Sequence, residues 1–284
     1  MVELRGRNAV VTGAASGVGL GIAEALAAEG VNVVIADIRN DAAIDVAANL
    51  SERFAVKARA LQVDVSDCEA VDRLAADSRQ ALGPISIIVN NAGIGVLGVD
   101  LDAMSRRDVE RMIGVNFTGV VNGVRAFLPE MRENRGHIVN VSSIGGLHVM
   151  PGWRYALYAA TKAAVVSLSE GLRDDLAEAG VGVSVLCPGG VRTAIHDQAA
   201  TSADHENHAA VANGMDPRRV GQFVTHGIRH NQFLILTHPE LRHWIERRHE
   251  IFMSAFDAGE VTAQNLDAKS PGTGNDRAPS RGRS

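Results

Sequence analysis

The chain has 284 residues and a mass of 30.0 kDa, and its 46% hydrophobic and 21% charged residues describe a globular protein with enough apolar side chains for a substantial core. This composition excludes a wholly disordered protein. The formal net charge of −5 and the pI near 6.1 disfavour a nucleic-acid partner, because duplex-binding domains usually carry a basic excess.

Short apolar runs rich in Val and Ile alternate with longer stretches in which Ala, Leu and Val recur at helical spacing. The predicted strands cover residues 8–12, 32–37, 58–64, 85–90, 137–142, 182–187 and 233–236. The predicted helices cover residues 18–29, 42–53, 67–81, 107–132, 156–179 and 217–229. Strands that are apolar on both faces and joined by helical crossovers indicate an α/β fold. We expect a doubly wound, mostly parallel sheet of seven strands with helices on both faces, which is a Rossmann fold.

The alternation continues without a linker, so we expect a single domain over residues 1–264. A polar stretch at about 194–215 follows a strand end directly, where doubly wound sheets place loops that cover ligands, and it is predicted to be a substrate lid. Residues 265–284 are rich in Gly, Pro, Ser, Asp and Arg, and we expect them to form a disordered tail.

The amino terminus has no apolar run after its charges, and no stretch reaches the roughly 18 apolar residues that span a bilayer. We therefore expect neither a signal peptide nor a membrane anchor. The two cysteines, Cys68 and Cys187, show no pairing or metal-ligand spacing, which favours buried thiols in a reducing compartment. The predicted location is the cytoplasm.

A glycine-rich loop follows the first predicted strand and opens the first helix. It contains Gly13, Ser16, Gly17, Val18 and Gly19. Such a loop lets the backbone approach a diphosphate, while the amide groups at the helix start direct their positive dipole ends at it. A tight strand-to-helix turn also needs glycine without any ligand, so the loop alone is weak support for nucleotide binding.

An acidic residue at the end of the second strand strengthens the nucleotide interpretation. Asp37 lies eighteen residues beyond Gly19, where a carboxylate can hydrogen-bond the adenosine ribose. Because a carboxylate there also repels a 2′-phosphate, NAD is favoured over NADP. Arg39 is close enough in sequence to keep NADP open, and a solvated turn acid is the alternative for Asp37.

Turns at the ends of other strands match further motifs of one enzyme family. The glycine loop has the form Thr-Gly-x-x-x-Gly-x-Gly, and it is accompanied by Asp64-Val65, Asn90-Asn91-Ala92-Gly93 and Pro188-Gly189-Gly190-Val191-Arg192-Thr193. From about Gly6 to Phe256, the chain resembles the single-domain branch of the short-chain dehydrogenase/reductase family. Each motif alone is also ordinary turn chemistry, but their combination is specific.

This resemblance implies where a dinucleotide binds. It implies that Asp64 and Val65 flank the adenine, and that Asn91, Ala92 and Gly93 line the path from the adenosine to the nicotinamide ribose. It also implies contacts with the nicotinamide and its carboxamide from residues after the sixth strand, namely Pro188, Gly189, Val191 and Thr193. All of these residues follow predicted strands, at the edge where open α/β sheets bind ligands.

A tyrosine and a lysine are candidates for the proton transfer that accompanies hydride transfer. Tyr158 and Lys162 lie four residues apart on one face of a predicted helix. A free phenol has a pKa near 10, and an adjacent ammonium together with the positive nicotinamide favours the phenolate. A tyrosine and a lysine four residues apart on a helix usually form an exposed surface pair. The family resemblance instead implies that Tyr158 and Lys162 are catalytic. Tyr155 competes for the role, but Lys162 lies seven residues beyond it.

The resemblance implies two further catalytic residues. Ser143, at the end of the fifth strand, corresponds to the hydroxyl that polarises the substrate oxygen, whereas Ser142 is expected to point to the opposite side. Fifteen residues separate Ser143 from Tyr158, two more than is commonest in the family, which predicts a slightly longer loop over the site. Asn116 corresponds to a helix asparagine that holds a water near Lys162, and a helix-bending polar residue is its alternative role.

These residues predict an oxidoreductase that interconverts a secondary alcohol and a ketone. NAD binds first, and hydride then passes from the alcohol carbon to nicotinamide C4 while Tyr158 takes the hydroxyl proton. The loops expected to border the nicotinamide are mainly apolar, which favours a bulky substrate such as a terpenoid, steroid-like or aryl alcohol. Those loops contain Val96, Leu97, Leu147, Val149, Met150, Trp153 and Met215, with Arg154 and Arg192 as possible carboxylate partners.

Two other function classes stay open. One is an NAD-binding regulator without turnover, against which the intact set of Ser143, Tyr158 and Lys162 argues. The other is a sugar-nucleotide epimerase or dehydratase, for whose larger carboxyl-terminal domain the chain has little room.

Two remaining clusters predict no further chemistry. The histidines and acids between His196 and His208 lie on no predicted rigid element, so we expect a solvated lid and no metal site. Residues 242–249 form a locally basic, amphipathic helix with mixed charges, which we expect to pack on the domain or on another subunit. The partners expected are a small-molecule alcohol or ketone and further copies of the chain, in a homodimer or homotetramer, without nucleic acid or membrane.

Overall fold

The computed structural model describes residues 2–96, 98–193 and 213–269. Its strands are β1 Asn8–Thr12, β2 Asn32–Asp37, β3 Ala58–Gln62, β4 Ile87–Asn90, β5 His137–Val141, β6 Gly182–Cys187 and β7 Leu234–Leu236. Its α-helices are α1 Gly17–Ala28, α2 Asn40–Phe54, α3 Cys68–Leu82, α4 Arg106–Ile113, α5 Gly119–Asn134, α6 Ile144–Leu147, α7 Ala156–Leu176, α8 Pro217–Arg229 and α9 Arg242–Lys269. Short 3₁₀ turns cover Leu101–Ala103 and Pro239–Leu241.

The seven strands form one sheet in the order β3-β2-β1-β4-β5-β6-β7, and every neighbouring pair is parallel. Parallel strands need crossovers, and the helices between them supply these on both faces. Two apolar cores follow: one contains Val11, Ile35 and Leu26, and the other contains Val10, Ile88 and Phe127. Alternate residues of β1 thus face opposite cores, and the predicted Rossmann fold is confirmed.

A parallel sheet places the carboxyl ends of all its strands along one edge. The sheet order changes direction at β1, because β2 lies on one side of it and β4 on the other. Ligands of doubly wound folds bind at such a switch point. The turns after β1, β2, β4, β5 and β6 therefore converge on one region, and the candidate site lies there.

Two glycines bring α1 and α8 into contact. A side chain on Gly21 would collide with the carbonyl of Pro217, and one on Gly221 would collide with the carbonyl of Gly21. Beside this contact, the carboxylate of Glu24 on α1 accepts hydrogen bonds from Arg218 on α8 at 2.7 Å and from Arg53 on α2 at 2.8 Å. The helix that begins at the glycine-rich loop is thus fixed to both of its neighbours.

The chain separates into two compact units, residues 1–239 and residues 240–284. The first contains the sheet and α1 to α8; within the second, the structure describes α9. The predicted basic segment at 242–249 is the start of α9, and residues 265–269 of the predicted tail are its last turn. The rest of the tail, and residues 194–212 of the predicted lid, lie outside the described residues. The predicted domain boundary at residue 264 stays a prediction.

Two sequence predictions need correction. The helix predicted over residues 107–132 is interrupted by a π-helical turn at Gly114–Thr118, which separates α4 from α5. Cys68 was expected to be buried, but it is the exposed first residue of α3, whereas Cys187 on β6 is buried. Within the described part of the chain, no helix combines the length and apolar character needed to cross a membrane.

Candidate active site

The glycine-rich loop makes a tight turn against the end of β4. Gly13 and Gly17 have φ values of +63° and +58°, in the left-handed region that favours glycine. A Cβ atom on Gly13 would lie 2.8 Å from Cα of Ala92, and one on Gly19 would collide with the carbonyl of Gly13. The three glycines are therefore needed for the path of the backbone, before any ligand is considered.

Thr12 and Asn91 hold this loop to β4. The hydroxyl of Thr12 accepts hydrogen bonds from the amide groups of Asn91 at 3.0 Å and Ala92 at 3.1 Å. In return, Nδ2 of Asn91 donates to the carbonyl of Thr12 at 2.8 Å. The Asn91 side chain thus braces the glycine loop, a role that the sequence did not predict.

The first turn of α1 is suited to an anion. Ser16 is the residue before the helix. Its backbone is extended, and its side chain does not cap the helix with a hydrogen bond. The first amide groups of a helix have no intrahelical partner, so an uncapped N-terminus offers them to a phosphate. The glycine cradle and this donor set fit the diphosphate of a dinucleotide.

Asp37 lies at the end of β2, and its carboxylate is directed at the glycine loop. It is 5% exposed and accepts hydrogen bonds from the amide groups of Ala15 at 2.9 Å and Arg39 at 3.0 Å. The next residue, Ile38, is 59% exposed and adds an apolar surface that the sequence analysis missed. The sequence signal that could have indicated this surface is an isoleucine directly after the acid that ends the strand.

The residues after β3 lie in two different environments. Asp64 is exposed, and its carboxylate accepts hydrogen bonds from the amide and the hydroxyl of Ser66 at 2.9 and 2.6 Å. Val65 is buried against Gly119 of α5, and its carbonyl accepts from Asn122 at 2.9 Å. Asp64 is thus open to a ligand, whereas the Val65 side chain packs within the protein.

Ser143, Tyr158 and Lys162 come together between β5 and α7. The Ser143 side chain lies close enough to the phenol of Tyr158 to lower the pKa of that phenol. Lys162 is 3% exposed, its Nζ lies 5.8 Å from the centre of the Tyr158 ring, and it donates to the carbonyl of Val141 at 2.9 Å. The hydroxyl of Ser142 instead donates to the carbonyl of Lys162 at 2.7 Å. The two serines therefore have different contacts, and only Ser143 is next to the phenol.

Burial dominates the ionisation of this pair. Loss of hydration raises the pKa of Tyr158 to about 12, although the nearby Ser143 side chain opposes that rise. Loss of hydration also lowers the pKa of Lys162 to about 8. The sequence predicted a lowered tyrosine pKa in the presence of an oxidised nicotinamide. In the protein alone, burial favours the neutral form of both groups.

Asn116 lies in the π-helical turn and is fully buried. Its Oδ1 accepts from the amide of Ile94 at 2.8 Å, and its Nδ2 donates to the carbonyl of Ile94 at 2.9 Å and to the hydroxyl of Thr161 at 3.2 Å. A Cβ atom on Gly93 would lie 3.3 Å from Nζ of Lys162 and 3.4 Å from Oδ1 of Asn116. The turn after β4 thus meets α7 at Lys162, beside Asn116.

The turn after β6 is held from both sides. The carbonyl of Pro188 accepts from the amide of Ile144 at 2.8 Å, next to Ser143. The amide of Gly189 is shared by Nδ1 of His238 at 3.1 Å and the hydroxyl of Thr237 at 3.3 Å. His238 and Thr237 were not among the predicted site residues, although they follow β7 at the same sheet edge as the others.

The same turn reaches back to the glycine loop. Thr193 lies beside Gly17, because a Cβ atom on that glycine would be 3.2 Å from Cγ2 of Thr193. Val191 forms a parallel bridge with Met215, which follows residues 194–212 in the sequence. The predicted histidine and acid cluster from His196 to His208 lies outside the described residues, as does Leu97.

The arginines considered as substrate partners have acidic neighbours. Arg192 contacts Asp216 at 2.8 Å, and Arg154 contacts Asp100 at 3.4 Å. Both pairs are largely exposed. Neither arginine is therefore held ready for a substrate carboxylate.

Comparison with known proteins gives a consistent result. The family model described as short chain dehydrogenase matches residues 7–204. The C alpha-dehydrogenase of Sphingobium sp. strain SYK-6 is 31% identical over 272 residues, which cover 90% of this chain and 88% of that protein.

Two solved structures extend the comparison to the fold. A short-chain dehydrogenase/reductase from Burkholderia phymatum, in complex with NAD, has a TM-score of 0.83 at 35% identity, covering 90% of this chain and 97% of that one. A short-chain dehydrogenase from Sphingobium yanoikuyae, in complex with NADPH, has a TM-score of 0.73 at 25% identity, covering 98% of this chain and all of that one (100%). The chain belongs to the short-chain dehydrogenase/reductase family and is an oxidoreductase of that type.

Proposed function

We propose that the protein is an NAD-dependent oxidoreductase that interconverts a secondary alcohol and a ketone. One observation carries this proposal: Ser143, Tyr158 and a buried Lys162 lie together at the sheet edge that also holds the glycine-rich loop. A surface pair of tyrosine and lysine has no reason to be buried beside a serine hydroxyl. The cost of burying the Lys162 ammonium is consistent with a functional role.

The proposed roles follow from the contacts. Bound NAD would supply the hydride acceptor. Tyr158 takes the proton of the alcohol hydroxyl, and Ser143, next to the phenol, holds the substrate oxygen. Lys162 stabilises the phenolate. Asn116 holds the turn at Ile94 in place beside Lys162, and we assign Asn116 to the inner end of the proton relay. Acid-base assistance of this kind is typically worth roughly 10² to 10⁴ in rate.

The proposed cofactor is NAD, and NADP is the second candidate. The carboxylate of Asp37 is directed at the glycine loop, where it would accept hydrogen bonds from ribose hydroxyls and repel a 2′-phosphate. The B. phymatum relative was solved with NAD. The residues proposed to hold the cofactor are Gly13, Ser16, Gly17, Val18, Gly19, Asp37, Asp64, Val65, Asn91, Ala92, Gly93, Tyr158, Lys162, Pro188, Gly189, Val191 and Thr193.

The proposed substrate is a bulky, mainly apolar secondary alcohol or ketone. Four apolar side chains lie near Tyr155, namely Val96, Val99, Leu101 and Met104. Val149 is 56% exposed in the loop before α7, and Trp153 follows it. Aryl alcohols rank first among the terpenoid, steroid-like and aryl candidates, because the partly exposed Trp153 offers an aromatic surface there.

We also propose a cytoplasmic homo-oligomer, either a dimer or a tetramer. The last helix supports further subunit contacts, because Ile251, Phe252 and Phe256 are 63%, 51% and 72% exposed on it. Contiguous exposed apolar residues of this size often mark interaction surfaces.

An absorbance screen at the NADH band tests the proposed function. The enzyme is mixed with NAD or NADP and a panel of secondary alcohols that differ in size, and cofactor reduction is followed. We expect reduction of NAD with the larger apolar alcohols. Tight NADH binding without turnover on any alcohol would instead favour an NAD-binding regulator, and a retained cofactor without net NADH release would favour an epimerase or dehydratase.

A further inference from the structure

Tyr155, the second tyrosine of the chain, lies inside the candidate site without belonging to the predicted catalytic set. It is 6% exposed and is the residue immediately before α7. Its ring centre lies 6.2 Å from that of Tyr158 and 5.8 Å from that of Trp153, in an edge-to-face arrangement with the latter. Its hydroxyl accepts a hydrogen bond from the amide of Met150 at 2.8 Å.

The ring of Tyr155 also packs on Gly145. A Cβ atom at position 145 would lie 2.8 Å from Cε2 of Tyr155, and its next contacts, Oγ of Ser143 and the hydroxyl of Tyr155, would be at 3.5 Å. The amide of Gly145 donates to Oγ of Ser143 at 3.1 Å. Tyr155 thus covers the residue whose amide orients the catalytic serine.

The segment 148–154 belongs to residues 148–157, where the sequence predicts the extra length between Ser143 and Tyr158. Gly152 and Arg154 adopt left-handed φ values of +82° and +42°, so the segment bends sharply. Its far end is tied to the loop after β4, because the carbonyl of Arg154 accepts from the amide of Gly98 at 3.1 Å. The bond from Met150 to Tyr155 ties its middle to the start of α7.

We propose that Tyr155 is a positioning residue for this reaction: its hydroxyl tethers the segment 148–154 beside the Ser143–Tyr158 pair, and its ring fixes Ser143 through Gly145. Tyr155 thereby sets the KM for bulky alcohols without transferring a proton. This inference rests on the proposed function. A hydroxyl that already accepts from Met150, on a residue two turns from Lys162, is poorly placed to act as the base.

Hydrogen exchange tests the tether without any need for turnover. In Tyr155→Phe, the ring is kept and the acceptor for the Met150 amide is lost. We expect that amide to exchange about 10-fold faster than in the wild type, the change that follows from losing one typical hydrogen bond. Asp100→Asn is the matched control, because it removes the exposed ion pair with Arg154 and leaves the tether in place. Equal protection of Met150 in Tyr155→Phe and the wild type would overturn the tether.

Kinetics test the consequence for catalysis. For a bulky alcohol, Tyr155→Phe is expected to raise KM about 5- to 10-fold, with kcat within about 2-fold and an unchanged NADH Kd, as loss of one positioning contact predicts. The pH profile of kcat should keep its position. If kcat instead falls as far as in Tyr158→Phe, Tyr155 takes part in proton transfer and the proposal is wrong.

A double-mutant cycle tests the link through Gly145. Gly145→Ala is expected to lower kcat/KM about 10-fold, because the added methyl meets the Tyr155 ring. In a Tyr155→Leu background, where that ring is absent, the same change should cost less than about 2-fold, since contacting residues are not additive. An equal cost in both backgrounds would contradict the coupling. If the wild type oxidises no alcohol, the proposed function fails, whereas the exchange measurement still decides the tether.

Discussion

Nη2 of Arg39 donates a 2.7 Å hydrogen bond to Oγ of Ser16, across the opening of the glycine-rich loop. The guanidinium that follows β2 therefore lies over the first turn of α1, beside the carboxylate of Asp37. The guanidinium of Arg39 and the carboxylate of Asp37 thus both lie near the expected position of the adenosine ribose. The guanidinium would favour the 2′-phosphate of NADP, and the carboxylate would favour the 2′-hydroxyl of NAD. In the cofactor preference that we propose, the buried carboxylate outweighs the arginine, because the side chain of Arg39 is 56% exposed and its charge is screened by water.

Removing the charge of Asp37 should relax the choice of cofactor. Asp37→Asn keeps an oxygen that can accept from the Ala15 amide, but it no longer repels a phosphate. We expect the preference for NAD over NADP, measured as a ratio of kcat/KM values, to fall roughly 10²-fold, because juxtaposed like charges cost several kcal/mol. Adding Arg39→Ala should then remove the gain with NADP. An unchanged ratio in Asp37→Asn would contradict the role given to the carboxylate.

Replacing the proposed base should separate chemistry from binding. Tyr158→Phe removes only the hydroxyl, so kcat should fall roughly 10²- to 10⁴-fold, the usual range for acid-base assistance. The Kd for NADH, measured by calorimetric titration, should stay within about 2-fold, because the aromatic ring is kept and Tyr158 is only one of many proposed cofactor contacts. Turnover comparable with the wild type would rule out Tyr158 as the base.

The rates of the two reaction directions should differ in their dependence on pH. Alcohol oxidation needs the Tyr158 phenolate, and burial raises the pKa of that phenol to about 12, so oxidation should speed up as pH rises from 6 to 8. Above pH 8 the rise should flatten, because the pKa of Lys162 is lowered to about 8 and its stabilising charge is lost. Ketone reduction needs the neutral phenol and should be nearly constant from pH 6 to 8. Steady-state rates in both directions check this, and oxidation that slows from pH 6 to 8 would contradict it.

Lys162 should decrease the stability of the fold while it serves catalysis. Burial lowers its pKa to about 8 in the folded state, below the 10.5 of an exposed lysine. The folded state therefore binds fewer protons than the unfolded one between pH 8 and 10.5, so stability rises with pH in that window and the full cost of the charge applies below pH 8. Lys162→Met should raise Tm by a few degrees at pH 7, less at pH 10, and abolish turnover. A lower Tm at pH 7 would show that the bond to Val141 outweighs the burial of the charge.

A buried histidine should make the sheet sensitive to acid. Burial, with a smaller effect of Arg7, lowers the pKa of His137 from 6.5 to about 4, and its Nε2 lies 2.8 Å from the hydroxyl of Ser184. The unfolded chain binds a proton at pH 5 that the folded chain excludes, so stability is lost as pH falls from 6.5 towards 4. His137→Gln should show a weaker decline of Tm over this range. The two slopes, compared by differential scanning calorimetry, decide the point.

The sequence predicted the fold well where patterns are local. The bounds of β1, β2 and β6 agree with prediction because each has a mainly apolar run, broken in β6 only by Ser184, and ends at a turn motif. The predicted β3 is two residues too long at its end, since its last pairing joins Gln62 to Asp37, where β2 stops. A strand end that depends on its neighbour's length cannot be inferred from its own residues.

The candidate site was predictable to the extent that it follows strand ends. Ser143, Tyr158 and Lys162 do come together, as their motifs indicated. His238 was missed because no motif surrounds it and its contact with Gly189 spans 49 residues. The structural role of Asn91 depends on the proximity of β1 and β4, which sequence spacing does not contain.

The π-helical turn at Gly114–Thr118 also limits how the chain can vary in length. Such a turn carries one residue more than a regular α-helical path, and each residue of a helix corresponds to about 100° of rotation. Deleting one residue there would regularise the helix but rotate Asn116 relative to α5, whose Gly119 and Gly123 fit against Val65 and Asn90. The loop before Tyr155, by contrast, lies in the stretch where the sequence predicts two additional residues relative to the family. Insertions and deletions should therefore be tolerated in the loop before Tyr155, beside the proposed substrate site, and rejected around Asn116, in the proposed proton relay.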